Sequence, residues 1–273
     1  MTSGTDIQVC MGAPEASDAK RAVSTLKLYQ QHFETPFIVA TEQYYKTESA
    51  RLLASGTVVA YVSRTAQWIK EEMHRLQLYL HPSTETKLTP VLDQTLITAH
   101  LQVIQSAFHG LLAEQRIGDL QRIFTLLSRV PDGLPPLRDI FEAFVKQAGL
   151  QAVLALQEQS PNDQYEPKQY VDTLLGTHAI YLSMVKEAFS MDPGFVASMD
   201  KACREYMNRN ALTRQALTKT PEVLARFCDQ LLKKGVNAIE EAEVEEQLTQ
   251  AVSAAIHLLC VTPKKKNGDA YHL

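Results

Sequence analysis

The stretch Ile117–Gly149, IGDLQRIFTLLSRVPDGLPPLRDIFEAFVKQAG, constrains the fold more than any other part of the chain. Ile117, Leu120, Ile123, Phe124 and Leu127 recur at steps of three and four residues, which puts them on one side of a helix. Val130-Pro131-Asp132-Gly133 then breaks the pattern. Proline presets φ, aspartate bonds its own backbone, and glycine accepts a left-handed conformation. Pro135 and Pro136 suit the first turn of a second helix, where a missing N–H costs nothing. Leu137, Ile140, Phe141, Phe144, Val145 and Ala148 give that helix an apolar face, and Gly149 is expected to stop it. Two apolar faces joined by so short a connection predict an antiparallel αα-hairpin, one unit of a helical stack.

The same periodicity runs through most of the chain. A first helix is expected from Asp18, with Ala22, Leu26, Tyr29 and Phe33 on one stripe. Thr35-Pro36 is expected to restart it, with one long helix kinked at Pro36 as the alternative, and the new face uses Phe37, Ala40, Tyr44, Tyr45 and Leu52. Ser55-Gly56-Thr57 is a break. Val58 to Tyr79 reads as a long helix with Val59, Val62, Ala66, Ile69, Met73, Leu76 and Leu80 inward and Trp68 beside them. His81-Pro82-Ser83 ends it and caps a helix from Thr84 past Leu112. Its inward residues are Leu88, Val91, Leu92, Leu96, Ile97, Leu101, Ile104, Phe108 and Leu111. Pro90 inside it predicts a kink or a delayed start. Beyond the hairpin, helices are expected over Leu150–Gln159, Pro167–Ser190, Phe195–Met207, Thr220–Gly235 and Ile239–Leu259, with Ser160–Glu166 a polar loop. Residues 1–18, small, polar and punctuated by Gly and Pro, predict disorder. The fold class is all-α, with about ten helices and no tight tandem period.

Composition excludes several function classes. Hydrophobic residues are 45% of the 273, enough to fold, and the formal net charge of −4 argues against a general phosphate-backbone binder. The four cysteines, Cys10, Cys203, Cys228 and Cys260, contain no CxxC pair, so neither a zinc site nor a disulfide framework is indicated. No apolar run reaches the roughly 18 residues of a membrane span, and no signal-peptide core is visible. No nucleophile elbow, Walker loop, HExxH or GxGxxG is present. The eight histidines are dispersed. Those at His74, His81, His100, His109 and His178 lie on or beside helices, where packing is the plain reading. No catalytic, cofactor-binding or metal-ligating residue is therefore assigned. Glu240-Glu241, Glu243 and Glu245-Glu246 read as a solvated helix start, and Lys264-Lys265-Lys266 as part of a tail.

Four motifs carry a resemblance. Leu127-Ser128-Arg129-Val130-Pro131-Asp132-Gly133-Leu134 resembles the LSR corner of the cullin family. Tyr79-Leu80-His81-Pro82-Ser83-Thr84 is similar to its YLHPST junction. Asp200-Lys201-Ala202 and the run from Pro221 to Lys234, PEVLARFCDQLLKK, resemble its DKA and PELLA motifs. They are ordered and correctly spaced from about Leu28 to Gln250. The subtype resembled is that of the F-box-type ubiquitin ligases.

The resemblance implies a rod-like solenoid of stacked helical cullin repeats: a second-repeat-like segment over 19–149, an incomplete third-repeat-like segment over 150–259, and a disordered tail over 260–273. It implies a non-catalytic scaffold of a cullin-RING-type ubiquitin ligase, serving ubiquitin-dependent degradation in cytoplasm and nucleus. Ligase subunits would be its protein partners, with no cofactor, nucleic acid, membrane or small-molecule substrate. The family's adaptor-binding repeat would lie before residue 20, and the likeness ends near Ala251–Cys260. A truncated form without adaptor and RING-box sites is therefore expected, leaving the face around Leu28, Tyr29 and Phe33 uncovered. The alternatives are a stand-alone helical protein competing with full-length cullins and a helical rod of a vesicle-tethering complex.

Overall fold

The computed structural model describes residues 26–158, 167–210 and 219–235, and all regular structure among them is helical. Residues 26–29 and a π-helical turn, Gln30–Glu34, lead into α1 (Thr35–Ser55). Then come α2 (Val58–Tyr79), a 3-10 turn (Pro82–Thr84) and α3 (Glu85–Leu92). A π turn (Asp93–Ile97) and a 3-10 turn (Thr98–His100) connect to α4 (Leu101–Ser106), α5 (Phe108–Ala113) and α6 (Ile117–Leu127). The remainder is α7 (Pro135–Glu158), α8 (Pro167–Ala188), α9 (Pro193–Asn208) and α10 (Lys219–Gly235). The chain forms two compact units that divide between Leu137 and Arg138. The expected segment boundary at 149/150 falls inside α7. The expected features over 1–18, Ser160–Glu166, Ile239–Leu259 and 260–273, the Glu240–Glu246 cluster and the Lys264–Lys266 triplet lie outside the described residues.

In the first unit the helix does not restart at Thr35. Glu34 and Thr35 both have helical dihedrals, and Thr35 donates its backbone N–H to the Gln30 carbonyl, five residues back. Pro36 has no N–H to give and its ring crowds the carbonyl four residues before it. A π turn directly upstream widens the backbone there, so the chain passes through Pro36 without a new cap. The buried side of α1 also differs from the expected stripe. Thr41, Tyr45 and Ser49 are buried, while Ala40 and Tyr44 face solvent. On α2 the inward side is turned toward Tyr61, Thr65, Trp68 and Glu72 as well as Val62, Ile69 and Leu76, and Ala66 is exposed.

The expected helix from Thr84 past Leu112 is present as separate pieces. It starts without delay at Glu85, and Pro90 sits inside α3. The ladder changes after it, at Asp93–Ile97 and Thr98–His100. The consequence is in the packing: Thr95, Leu96 and Ile97 are all buried. Three adjacent residues span most of the circumference of an α-helix, so a regular helix does not bury them against one neighbour. Leu88, Leu92, Ile104, Phe108 and Leu111 complete the core as the spacing requires. The Tyr61 hydroxyl donates to the Leu96 carbonyl at 2.7 Å within this irregular stretch.

The LSR corner closes the first unit. Arg129 Nε donates to Asp93 Oδ1 at 2.7 Å, and the Gln105 amide donates to the Gly133 carbonyl at 3.2 Å. Gly133 does not have the left-handed backbone expected of it. It is required because the Leu127 carbonyl occupies the place a Cβ would take.

In the second unit, Gly149 does not end a helix. α7 runs on to Glu158, so the expected short helix at Leu150 is its continuation. The Gly149 backbone instead lies against the buried ring of Tyr206 on α9, and any Cβ there would overlap the ring. Around it α8 packs on α9 and α10, and Phe141, Phe189 and Phe195 form an aromatic cluster, with Phe189 and Phe195 stacked at 4.0 Å.

This close approach sets the sign of one substitution. Gly→Ala inside a helix ordinarily stabilises by roughly 0.5–1 kcal/mol. Gly149→Ala is expected to destabilise instead, by about 1–3 kcal/mol, because it overpacks the Tyr206 contact. Thermal unfolding followed by circular dichroism checks it; a raised melting temperature would contradict the packing.

Candidate interaction surfaces

The YLHPST junction is held by a chain of buried and part-buried hydrogen bonds. His81 has extended dihedrals, which suit the residue before Pro82, and its Nδ1 accepts from the Ser83 backbone N–H at 3.2 Å. The His81 backbone N–H donates to the Tyr29 hydroxyl at 3.2 Å. Thr84, fully buried, donates its hydroxyl to Glu34 Oε1 at 2.8 Å, so it accepts from the Tyr29 hydroxyl, also 2.8 Å away. Lys87 closes the chain with an ion pair to the other Glu34 oxygen. Every donor in this series points toward one carboxylate with no exposed surface. Sequence periodicity missed Glu34, because a charged residue on a helix is assigned to the solvent side.

A second buried carboxylate joins α1 to α2. Glu72 is 3% exposed, and its Oε1 accepts from the Tyr45 hydroxyl and from Arg75, each at 2.5 Å. Burial first, then the bond to Glu72 and its charge, hold the Tyr45 phenol well above its ordinary value. Phe37, Tyr44, Trp68 and Arg64 line a cleft of about 420 Å³ beside this pair, with the Arg64 guanidinium 5.2 Å over the Trp68 ring.

His100, Tyr61 and Cys203 are engaged in packing. His100 Nε2 lies 3.0 Å from Ser49 Oγ, and its ring meets Tyr61 edge-on. The Ser49 hydroxyl donates to the Lys46 carbonyl, so the imidazole is the donor to Ser49. Burial lowers the His100 pKa below its ordinary 6.5 and raises that of Tyr61 to about 12. Cys203 is fully buried on α9 and its thiol is pushed up to about 11 by burial, which keeps it protonated at neutral pH. Among the described residues no group of three or more His, Cys, Asp or Glu side chains is placed to hold a metal ion. No described helix is long and apolar enough to cross a membrane.

The remaining motifs also fasten helices. Asp192 caps α9, accepting from the N–H groups of Gly194 and Phe195, and receives Arg138 at 3.0 Å. In the Asp200-Lys201-Ala202 motif, Lys201 pairs with Glu142 of α7 at 2.7 Å while Ala202 is buried. In the Pro221–Lys234 run, Val223 and Phe227 are buried, and Phe227 packs on Val171 of α8. Of the face expected to be uncovered, Leu28 and Phe33 are exposed at 52% and 38%, and Phe33 stacks on Phe37. Tyr29 is buried, because it belongs to the Glu34 chain.

The structure thus defines a class: an all-helical repeat segment in which the marked residues fix helix junctions. The family model of the cullin alpha solenoid domain matches residues 6–261. The chain is similar to Cullin-1 of Dictyostelium discoideum, 43% identical over 229 residues, which covers 83% of this chain and 29% of the relative. It is 40% identical to Cullin-1 of Caenorhabditis elegans (86% of this chain, 31% of the relative) and 35% identical to Cullin-1 of Schizosaccharomyces pombe (83% and 30%). This protein belongs to the cullin family. The chain spans about three-tenths of the length of the curated relatives it matches.

Two measurements test the polar core. Glu34→Ala is expected to cost about 2–3 kcal/mol, because the buried Thr84 hydroxyl loses its acceptor and Lys87 its countercharge. Glu34→Gln, which keeps an acceptor for Thr84, is expected to cost less; urea unfolding read by circular dichroism compares them. For His100, the folded pKa lies below the unfolded value. Stability is therefore fully present above about pH 6.5 and declines as pH falls from there, while the unfolded chain takes up a proton that the folded one resists. His100→Gln is expected to flatten that part of the urea-midpoint profile between about pH 7.5 and 5.5.

Proposed function

We propose that this chain provides a non-catalytic helical scaffold for a ubiquitin-ligase assembly of the cullin type, and so acts in ubiquitin-dependent protein degradation. The observation that carries this reading is the match of residues 6–261 to the cullin alpha solenoid domain, in which the motif residues are spent on junctions between helices. A scaffold acts by fixing separation, and separation sets the effective concentration of one bound component near another. That task needs packed helices and surfaces for protein partners. Higher identity to relatives named Cullin-1 than to Cullin-3A of Arabidopsis thaliana, which is 28% identical, supports the F-box-type ligases as the subtype.

The test is affinity capture of the tagged, full chain from its own cells, read by quantitative mass spectrometry, beside a Glu34→Ala control. Recovery of ubiquitin-ligase subunits that include a RING-box subunit, brought in directly or through a full-length cullin, is the expected result. Adaptors without any RING-box subunit would turn the reading into that of a competitor of full-length cullins. Recovery of chaperones alone would overturn it.

A further inference from the structure

A groove of about 490 Å³ runs between α2 and α6 on the first unit, apart from the polar chains described above. Its floor is apolar: Ile69 and Leu126 are buried and Met73 is half-buried. The rims are cationic, with Lys70 on the α2 side and Arg122 and Arg129 on the α6 side, and no acidic side chain lines it. Asp119 and Asp93 hold Arg122 at 2.5 Å and Arg129 at 2.7 Å, but from outside the groove wall. Among the described residues Lys70 has no ion-pair partner within 4.0 Å. Ala66, exposed on the α2 rim, and Thr125 on the α6 rim are small, so a third backbone can come close.

We infer that this groove docks an acidic amphipathic helix of a protein partner. Apolar side chains spaced along one face of such a helix would enter over Ile69, Met73 and Leu126, and its flanking carboxylates would meet Lys70, Arg122 and Arg129. Both walls are helices whose backbone groups are used internally, so strand addition is not available and the helix-in-groove mode is. The site is half open to solvent, which suits a long element rather than a small ligand buried over most of its surface. Charge complementarity selects the sign of the partner. The inference rests on the scaffold reading for its choice of a protein occupant and names the chemistry of one partner surface.

The test uses the full chain and a displayed library of peptides about four helical turns long, with leucine fixed at i, i+3, i+4 and i+7 and the flanking positions random. Enrichment of Glu and Asp at the flanking positions is expected, with affinity that falls as salt rises. For a selected peptide, measured by fluorescence anisotropy, Ala66→Trp fills the groove and should weaken binding about tenfold or more. Lys70→Glu should weaken it about threefold. Both positions are exposed, and unchanged thermal melts confirm that the variants fold. Enrichment of basic or uncharged flanks, or binding indifferent to Ala66→Trp, overturns the proposal. So does a shift of the Met73 methyl resonance by dodecanoate with no peptide selected, which would make the groove a site for small amphiphilic anions. Failure of the scaffold reading is separable: a wild-type chain that captures no ligase subunit but selects acidic helices loses the ligase assignment and keeps the groove.

Discussion

A carboxylate with no exposed surface governs the first unit. Glu34 is the end point of hydrogen bonds that begin at the His81 backbone and pass through Tyr29 and Thr84, with Lys87 supplying the countercharge. A buried ion costs several kcal/mol of desolvation and is tolerated only when its oxygens are satisfied. Here that requirement ties residues before α1 to the turn between α2 and α3. It also accounts for the residue types at the junction. Thr84 must both donate and accept, and His81 serves twice, its backbone N–H donating to Tyr29 and its Nδ1 accepting from the Ser83 N–H.

Departures from regular helix geometry do comparable structural work elsewhere. The π turn at Gln30–Glu34 accommodates Pro36 and keeps Glu34 on the inward side. That at Asp93–Ile97 lets Thr95, Leu96 and Ile97 bury together. In the second unit the corresponding device is a missing side chain, because Gly149 lets α7 meet the Tyr206 ring at backbone distance. Each device trades a local preference for a contact between helices, which is expected where most of the stability of a helix comes from tertiary packing.

The chemistry of the surface follows from the same economy. His81 serves as a cap, His100 packs against Ser49 and Tyr61, and Cys203 is buried inside α9. The described surface carries a groove between α2 and α6 with an apolar floor, and an exposed Phe33 stacked on the half-buried Phe37.

Apolar spacing, with the Pro, Gly, Ser and Asp signals between the stripes, determined the helical class, the breaks at Ser55–Thr57 and Val130–Gly133, the helix starts at Val58, Pro135 and Pro167, and core positions such as Leu88, Leu120 and Phe141. The four motifs carried the family, now matched over residues 6–261. Tertiary structure alone decided that Glu34 and Glu72 are inside, that Tyr44 and Ala66 are outside, that the helix passes through Thr35-Pro36, and that Gly149 is a contact rather than a stop. The physical reason is common to all four. Periodicity reports which residues avoid water when each is judged by its own polarity. Whether a carboxylate can be buried depends on donors more than 25 residues away, such as Tyr45 for Glu72 at a separation of 27. Likewise, whether a glycine ends a helix depends on what packs against it, and for Gly149 that is a ring on another helix, which no local pattern encodes.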